Sequence, residues 1–158
     1  MAIQVDVQYA SHAEGLPAEE AIRGWAVAAL AGRRDDAQLT VRIVDPEEIS
    51  DLNETYRRKS GPTNVLSFSF EEPELLQPPL LGDVVICADI VGREAREQGK
   101  PVQAHWAHMV VHGVLHLLGY DHEHPEDARL METEERKVLL GLGYDDPYAV
   151  AGDALREA

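Results

Sequence analysis

Cysteine is almost absent from this sequence, since Cys87 is the only one among 158 residues. A single cysteine excludes an internal disulfide, and small domains built for an oxidising compartment normally carry several. The apolar residues at 84–86 predict that Cys87 is a buried hydrophobic side chain rather than a reactive thiol. Together these features favour a cytoplasmic protein.

Long hydrophobic runs are also missing. The first residues, from Met1 to Asp6, contain neither a basic segment nor an apolar one, so no secretory signal is expected. The most apolar stretch, at 110–118, is interrupted by histidines and is too short to cross a bilayer. We therefore expect a protein that works away from membranes.

Basic residues are scarce. Lysine and arginine number 14 against 29 acidic residues, which gives a net charge of −15. This balance argues against a nonspecific nucleic-acid coat or a membrane-surface protein, and no DNA partner is expected. A local basic site remains compatible with it. The acidic stretches 123–127 and 132–135 are interpreted as solvated helix surface.

Length and hydrophobic patterning predict a single domain, residues 1–158, of the α+β class. Strands are predicted at 3–9, 39–44, 64–70 and 83–88, and the third is a candidate edge strand. Helices are predicted at 17–31, from 45 to about 56, at 89–98, at 102–118 and from 125 onward. The order predicts a small mixed four-stranded sheet packed with about five helices. It does not predict the order of the strands.

The segment 112–122, His-Gly-Val-Leu-His-Leu-Leu-Gly-Tyr-Asp-His, says most about function. His112 and His116 lie about one helical turn apart and project from one face. Gly119 can adopt the left-handed conformation that ends a helix, so the chain can turn back and bring His122 to the same point. Three imidazoles without a fourth protein ligand predict a catalytic zinc site, one ion per chain, with an open position. Nickel, copper and iron are alternatives.

The remaining histidines are crowded around this segment, because six of the seven in the chain lie at 105–124. His108 is a rival ligand, but three residues in a row along a straight helix cannot surround one ion. We therefore assign His105 and His108 to packing or to hydrogen bonds with the ligands, and His124 to an exposed loop or helix cap. Asp121 has two interpretations: it orients a histidine ligand through the ring N–H, or it caps the turn locally.

Gly113 is informative because of what it replaces. A zinc peptidase helix of the H-E-x-x-H type carries its general base, a glutamate, directly after the first histidine. With Gly113 in that place, a peptidase of this type would lack its base. The reaction would then depend on the metal, on another residue, or on a substrate that brings its own nucleophile, as RNA does with its 2′-hydroxyl.

Three consecutive cations, Arg57, Arg58 and Lys59, stand out on this acidic chain. They lie at the end of a predicted helix, where the helix dipole alone favours positive charge. The functional alternative is a phosphate clamp, in which an arginine stabilises charge on a phosphoryl group. The spacing does not decide whether these residues face the metal site.

The histidine segment and the basic segment together resemble the YbeY family of ribosomal RNA maturation endoribonucleases. The resemblance is carried by residues 52–59, 62–68, 81–87, 105–111 and 112–122, and it extends from about 39 to 148. It implies a metal-dependent, single-strand-specific endoribonuclease of the bacterial cytoplasm. Such an enzyme acts in 3′-end maturation of 16S rRNA, in ribosome assembly and in ribosome quality control.

The resemblance also implies roles for individual residues. These are zinc binding by His112, His116 and His122, catalysis by Arg57, and electrostatic help in substrate binding from Arg58 and Lys59. The expected partners are single-stranded rRNA precursor and, because an acidic chain should bind RNA weakly, proteins of the small ribosomal subunit. The alternatives are a zinc hydrolase of another substrate class, such as a peptidase, and a non-catalytic ribosome-assembly factor with a structural metal.

Overall fold

The computed structural model describes residues 2–148. Within them the strands are β1 (Ala2–Ala10), β2 (Asp36–Val44), β3 (Val65–Ser69) and β4 (Leu80–Cys87). The α-helices are α1 (Glu19–Leu30), α2 (Pro46–Leu52), α3 (Ala88–Gln98), α4 (Val102–Leu117) and α5 (Pro125–Gly141). A π-helical turn (Asn53–Arg57) continues α2, and a 3-10 turn (Pro73–Leu75) precedes β4. The predicted α+β class is confirmed.

The four strands form one mixed sheet in the order β1-β2-β4-β3. Strands β1, β2 and β4 are parallel, and β3 is antiparallel to β4. The short strand β3 therefore lies at an edge, as its sequence suggested. Strand β4 pairs on both sides, and its residues Val84 to Cys87 are all buried, which explains its continuous apolar run.

Helices cover both faces of the sheet. The larger core joins the sheet to α1, α4 and α5, and Trp25, Val110 and Leu139 belong to it. A smaller cluster on the other side includes Ile49 of α2 and Ile90 of α3. Helix α4 is apolar around most of its circumference, so neighbouring elements cover it on almost every side. The histidines on α4 are thus carried by a helix that neighbouring elements hold on almost every side.

Several predicted boundaries differ from the observed ones. Strand β4 begins at Leu80 rather than at the predicted residue 83, and β2 begins at Asp36 rather than at the predicted residue 39. The helix predicted to reach residue 56 is α-helical only to Leu52 and continues as the π turn. One interpretation was wrong: Glu135, in a stretch assigned to solvated surface, is fully buried. Its place between Met131 and Val138, on the apolar stripe of α5, explains the burial.

Cys87 is completely buried, as predicted. None of the helices within residues 2–148 is long and apolar enough to span a membrane.

Candidate active site

The end of α4 brings three histidines together. Gly119 has φ +101°, and the N–H of Tyr120 donates to the Leu115 carbonyl at 3.1 Å, so the chain reverses after the helix. This turn returns His122 towards α4, where its Nδ1 lies 3.0 Å from Nε2 of His116. Ring nitrogens of His112, His116 and His122 all lie within 4.8 Å of one another. The glycine turn predicted from the sequence is therefore present.

The donor set fits a metal ion. Imidazole nitrogens suit zinc and other borderline or first-row ions, and a histidine must be neutral to bind them. Burial lowers the pKa of His116 to about 4, and charge on the neighbouring rings of His112 and His122 acts in the same direction. His116 is thus held in the neutral form. His122 is exposed, so the cluster is accessible from solvent.

A cavity of about 240 Å³ opens beside the histidines. Its lining consists of the three histidines and residues from the π turn and β3 region, namely Asn53, Arg57, Lys59, Thr63, Asn64, Val65, Leu66 and Ser67. Two of the three consecutive cations therefore face the cluster, whereas Arg58 does not belong to the lining. Size alone does not select this cavity, because one of about 680 Å³ lies between the start of α4 and the end of α5. The converging imidazole and guanidinium groups select it.

The π turn sets the direction of Arg57. It ends at Arg58, whose φ of 56° is left-handed, and the N–H of Lys59 closes the turn on the Asn53 carbonyl at 3.3 Å. The side-chain amide of the buried Asn53 donates to the Gly61 carbonyl at 3.0 Å. The segment that follows is thereby folded back towards β3. Arg57 lines the cavity, whereas Arg58, at the left-handed residue that ends the turn, does not.

Ser67 on β3 links the arginine to the histidine helix. Arg57 Nη2 donates to the Ser67 carbonyl at 2.8 Å, and its guanidinium lies 6.0 Å from the centre of the Phe68 ring. The Ser67 hydroxyl donates to the Gly113 carbonyl at 2.9 Å. The Arg57 side chain is nevertheless exposed, and its other N–H groups can bind an anion in the cavity.

Sequence reasoning missed Glu135. Its Oε1 lies 3.1 Å from Nδ1 of His112, and its Oε2 contacts Nε2 of His108 and accepts a 2.8 Å hydrogen bond from the Tyr148 hydroxyl. Burial raises the pKa of this carboxyl, but the bonds from the two histidines outweigh burial and lower the pKa to about 2. An acidic residue on the apolar stripe of α5 was the signal that could have revealed it.

The other polar residues near the cluster have distinct partners. His105 and His108 are buried, and His105 Nε2 lies 2.9 Å from a Glu94 oxygen. Asp121 Oδ1 accepts hydrogen bonds from the backbone N–H groups of His122 at 2.6 Å and Glu123 at 3.1 Å, which is the geometry of a local cap. His124 is exposed and directly precedes α5.

Two comparisons with known proteins agree with this architecture. The sequence matches the family described as "Endoribonuclease YbeY" over residues 9–143, a range that includes every residue lining the cavity. The structure is similar to the solution structure of TM1509 from Thermotoga maritima, with a TM-score of 0.55 and 24% sequence identity. That likeness covers 90% of this chain and 99% of the other, and it concerns the fold. On the family match, the chain belongs to the YbeY family of endoribonucleases.

Proposed function

We propose that this protein is a metal-dependent endoribonuclease that cleaves single-stranded RNA. The observation that carries the proposal is that three imidazoles and Arg57 line one cavity, on a chain from an endoribonuclease family. Its role is 3′-end maturation of 16S rRNA, with ribosome assembly and quality control. Residues 1–158 act as one domain in the cytoplasm.

Each residue of the proposed site has a role that follows from the chemistry of its side chain. His112, His116 and His122 hold one ion, for which zinc is the favoured choice among the metals that imidazoles bind. When bound, the ion supplies Lewis-acid chemistry to a phosphodiester. The Arg57 guanidinium stabilises negative charge that grows on the phosphoryl oxygens during cleavage. Lys59 binds the neighbouring RNA backbone, and Arg58 contributes only through its long-range charge.

The dimensions of the cavity favour an unpaired strand. A space of about 240 Å³ is small compared with a duplex, so the RNA segment that reaches the histidines must bend into it. In single-stranded RNA the backbone is free to enter such a recess. This supports the single-strand preference.

One experiment tests the activity and identifies the nucleophile. End-labelled single-stranded RNA is incubated with the wild type and with Arg57→Glu, each with and without a metal chelator. Cleavage is expected only from the untreated wild type. A 2′,3′-cyclic phosphate on one fragment and a 5′-hydroxyl on the other assign the attack to the 2′-hydroxyl, whereas a 3′-hydroxyl and a 5′-phosphate assign it to water. Equal cleavage in all four samples would contradict the proposal.

The acidic chain points to a protein partner. With a net charge of −15, few phosphate contacts are available, so affinity for naked RNA should be weak and only slightly salt-dependent. We propose that a protein of the small ribosomal subunit supplies the docking energy. Cleavage of precursor rRNA should be faster in small-subunit particles than in purified RNA. Tight binding and fast cleavage of the purified RNA would rule this out.

The peptidase alternative has little support. The glutamate of a zinc peptidase would have to stand at Gly113, where an added Cβ would lie 2.4 Å from Val84 Cγ1. Digestion of casein that stops when a metal chelator is added would support the peptidase alternative. The non-catalytic alternative gives no role to Arg57 in the cavity, and it predicts full biological rescue by a folded, metal-free variant.

A further inference from the structure

We infer that Glu135 is a positioning residue of the metal site, which fixes the orientation and the tautomer of His112. The inference rests on the proposed binding of a metal by the histidine cluster. It assigns a function to a carboxylate that lies on α5, outside the cavity.

The contact between Glu135 and His112 decides which nitrogen of His112 carries the ring proton. Glu135 Oε1 lies 3.1 Å from Nδ1 of His112. An ionised carboxylate only accepts hydrogen bonds, so Nδ1 of His112 must carry the ring proton. Nε2 of His112 then keeps its lone pair for the ion. Metal-binding histidines commonly have their second nitrogen held by a carboxylate in this way.

The carboxylate is itself held in place. Its Oε2 contacts His108 Nε2 and accepts a 2.8 Å hydrogen bond from Tyr148. Glu135 is fully buried, and α4 and α5 pack against each other in the same core. With donors on both oxygens, the group cannot rotate without losing a bond. The His112 ring is therefore fixed by a rigid partner.

The burial of Glu135 argues against a role in stability alone. A charge inside a core is expensive, and apolar residues of similar size often give equal or greater stability. Met131 and Val138, the neighbours on the same stripe, are apolar and buried. A carboxylate at this position is explained by what it does to His112.

His108, His112 and Glu135 also place three possible ligand atoms within 4.8 Å of one another. We assign this set to hydrogen bonding, because the two oxygens of Glu135 already contact Nε2 of His108 and Nδ1 of His112. One ion per chain is therefore expected. A second ion here would make Glu135 a ligand and would contradict the inference.

The first test measures zinc affinity by competition with a chromophoric chelator, using the full chain. Glu135→Gln should bind zinc about 10–100-fold more weakly than the wild type. Glu132→Gln is the matched control, since it makes the same change one turn earlier, where the carboxylate lies 4.0 Å from Arg136. Its affinity should equal that of the wild type. Wild-type affinity in folded Glu135→Gln, or two zinc ions per wild-type chain, would overturn the inference.

The second test needs neither metal nor activity. Long-range ¹⁵N–¹H spectra of the metal-free wild type show which nitrogen of His112 carries the proton, and Nδ1 is expected. Glu135→Gln should populate the Nε2–H form, whereas a purely structural role would leave the tautomer unchanged. A proton on Nε2 in the wild type would refute the inference even if the variant failed to fold.

The two tests separate this inference from the proposed function. A wild type that cleaves RNA with zinc, beside a Glu135→Gln variant of equal zinc affinity, would remove the inference and keep the function. A wild type that binds no metal would remove the metal site, and the inference that rests on it, whatever the tautomer of His112.

Discussion

Val84 on β4 occupies the space that a side chain on Gly113 would need. An added Cβ at Gly113 would lie 2.4 Å from Cγ1 and 3.1 Å from Cγ2 of Val84. The position after the first histidine therefore faces the sheet and not the cavity. Its lack of a side chain lets α4 approach β4 and excludes the acidic base of a peptidase.

Gly113→Ala should destabilise the protein by about 1–3 kcal/mol, because the new methyl group overpacks the contact between α4 and β4. Gly24→Ala is the matched control: apart from its chain neighbours and its own helix backbone, nothing lies within 4 Å of its added Cβ, and Gly24 is inside α1. There alanine should stabilise by roughly 0.5–1 kcal/mol through helix propensity. Urea denaturation measures both free energies of unfolding.

A double-mutant cycle locates the clash. Adding Val84→Ala to Gly113→Ala should cost less than Val84→Ala costs alone, because the smaller residue makes room for the new methyl group. Purely additive effects would show that Val84 does not restrict position 113.

Arg57→Glu should lower RNA cleavage at least ~10²–10³-fold, the effect of losing a group that stabilises transition-state charge. Bound zinc should be unchanged. Arg58→Glu makes the same charge change next to it but lies outside the cavity lining, so its loss should stay within about 10-fold, the scale of a long-range electrostatic effect. Initial rates on labelled RNA measure both. Equal losses would mean that charge, and not the position of Arg57, matters.

His116→Ala should lose stoichiometric zinc, since it leaves only two imidazoles in the cluster. His124→Ala should keep it, because His124 is exposed and lies outside the set of neighbouring nitrogens. Elemental analysis after gel filtration measures the zinc-to-protein ratio. A full equivalent of zinc in His116→Ala would refute the ligand assignment.

His105 should make stability depend on pH. Burial lowers the pKa of His105 below the ordinary 6.5, although its hydrogen bond with Glu94 opposes the shift. As the pH drops below about 6.5, His105 therefore becomes protonated in the unfolded chain before it does in the folded chain. The free energy of unfolding falls over this range, because the unfolded state binds more protons. In His105→Gln the fall between about pH 7 and pH 5 should be shallower. Parallel curves from urea denaturation of the metal-free proteins would contradict this.

The sequence was most informative where interactions are local. The spacing of His112 and His116 and the turn at Gly119 depend on residues within a few positions, so they were readable without tertiary contacts. The alternation in β3 and the apolar run in β4 likewise report the number of buried faces of each strand. The end of α2 was less predictable, because the π turn depends on contacts with the segment that folds back at Gly61.

Amino-acid sequence alone thus determined the elements, the family resemblance and the convergence of three histidines at the end of one helix. Tertiary structure decided the strand order, the placement of Arg57 in the same cavity, and the contact of Glu135 with His112. The hydrogen bond that connects β3, and with it Arg57, to the histidine helix joins Ser67 and Gly113, which are 46 positions apart. The contact of Glu135 with His112 joins residues 23 positions apart. Both contacts arise from packing between α4, β3 and α5, which no local pattern of residues encodes.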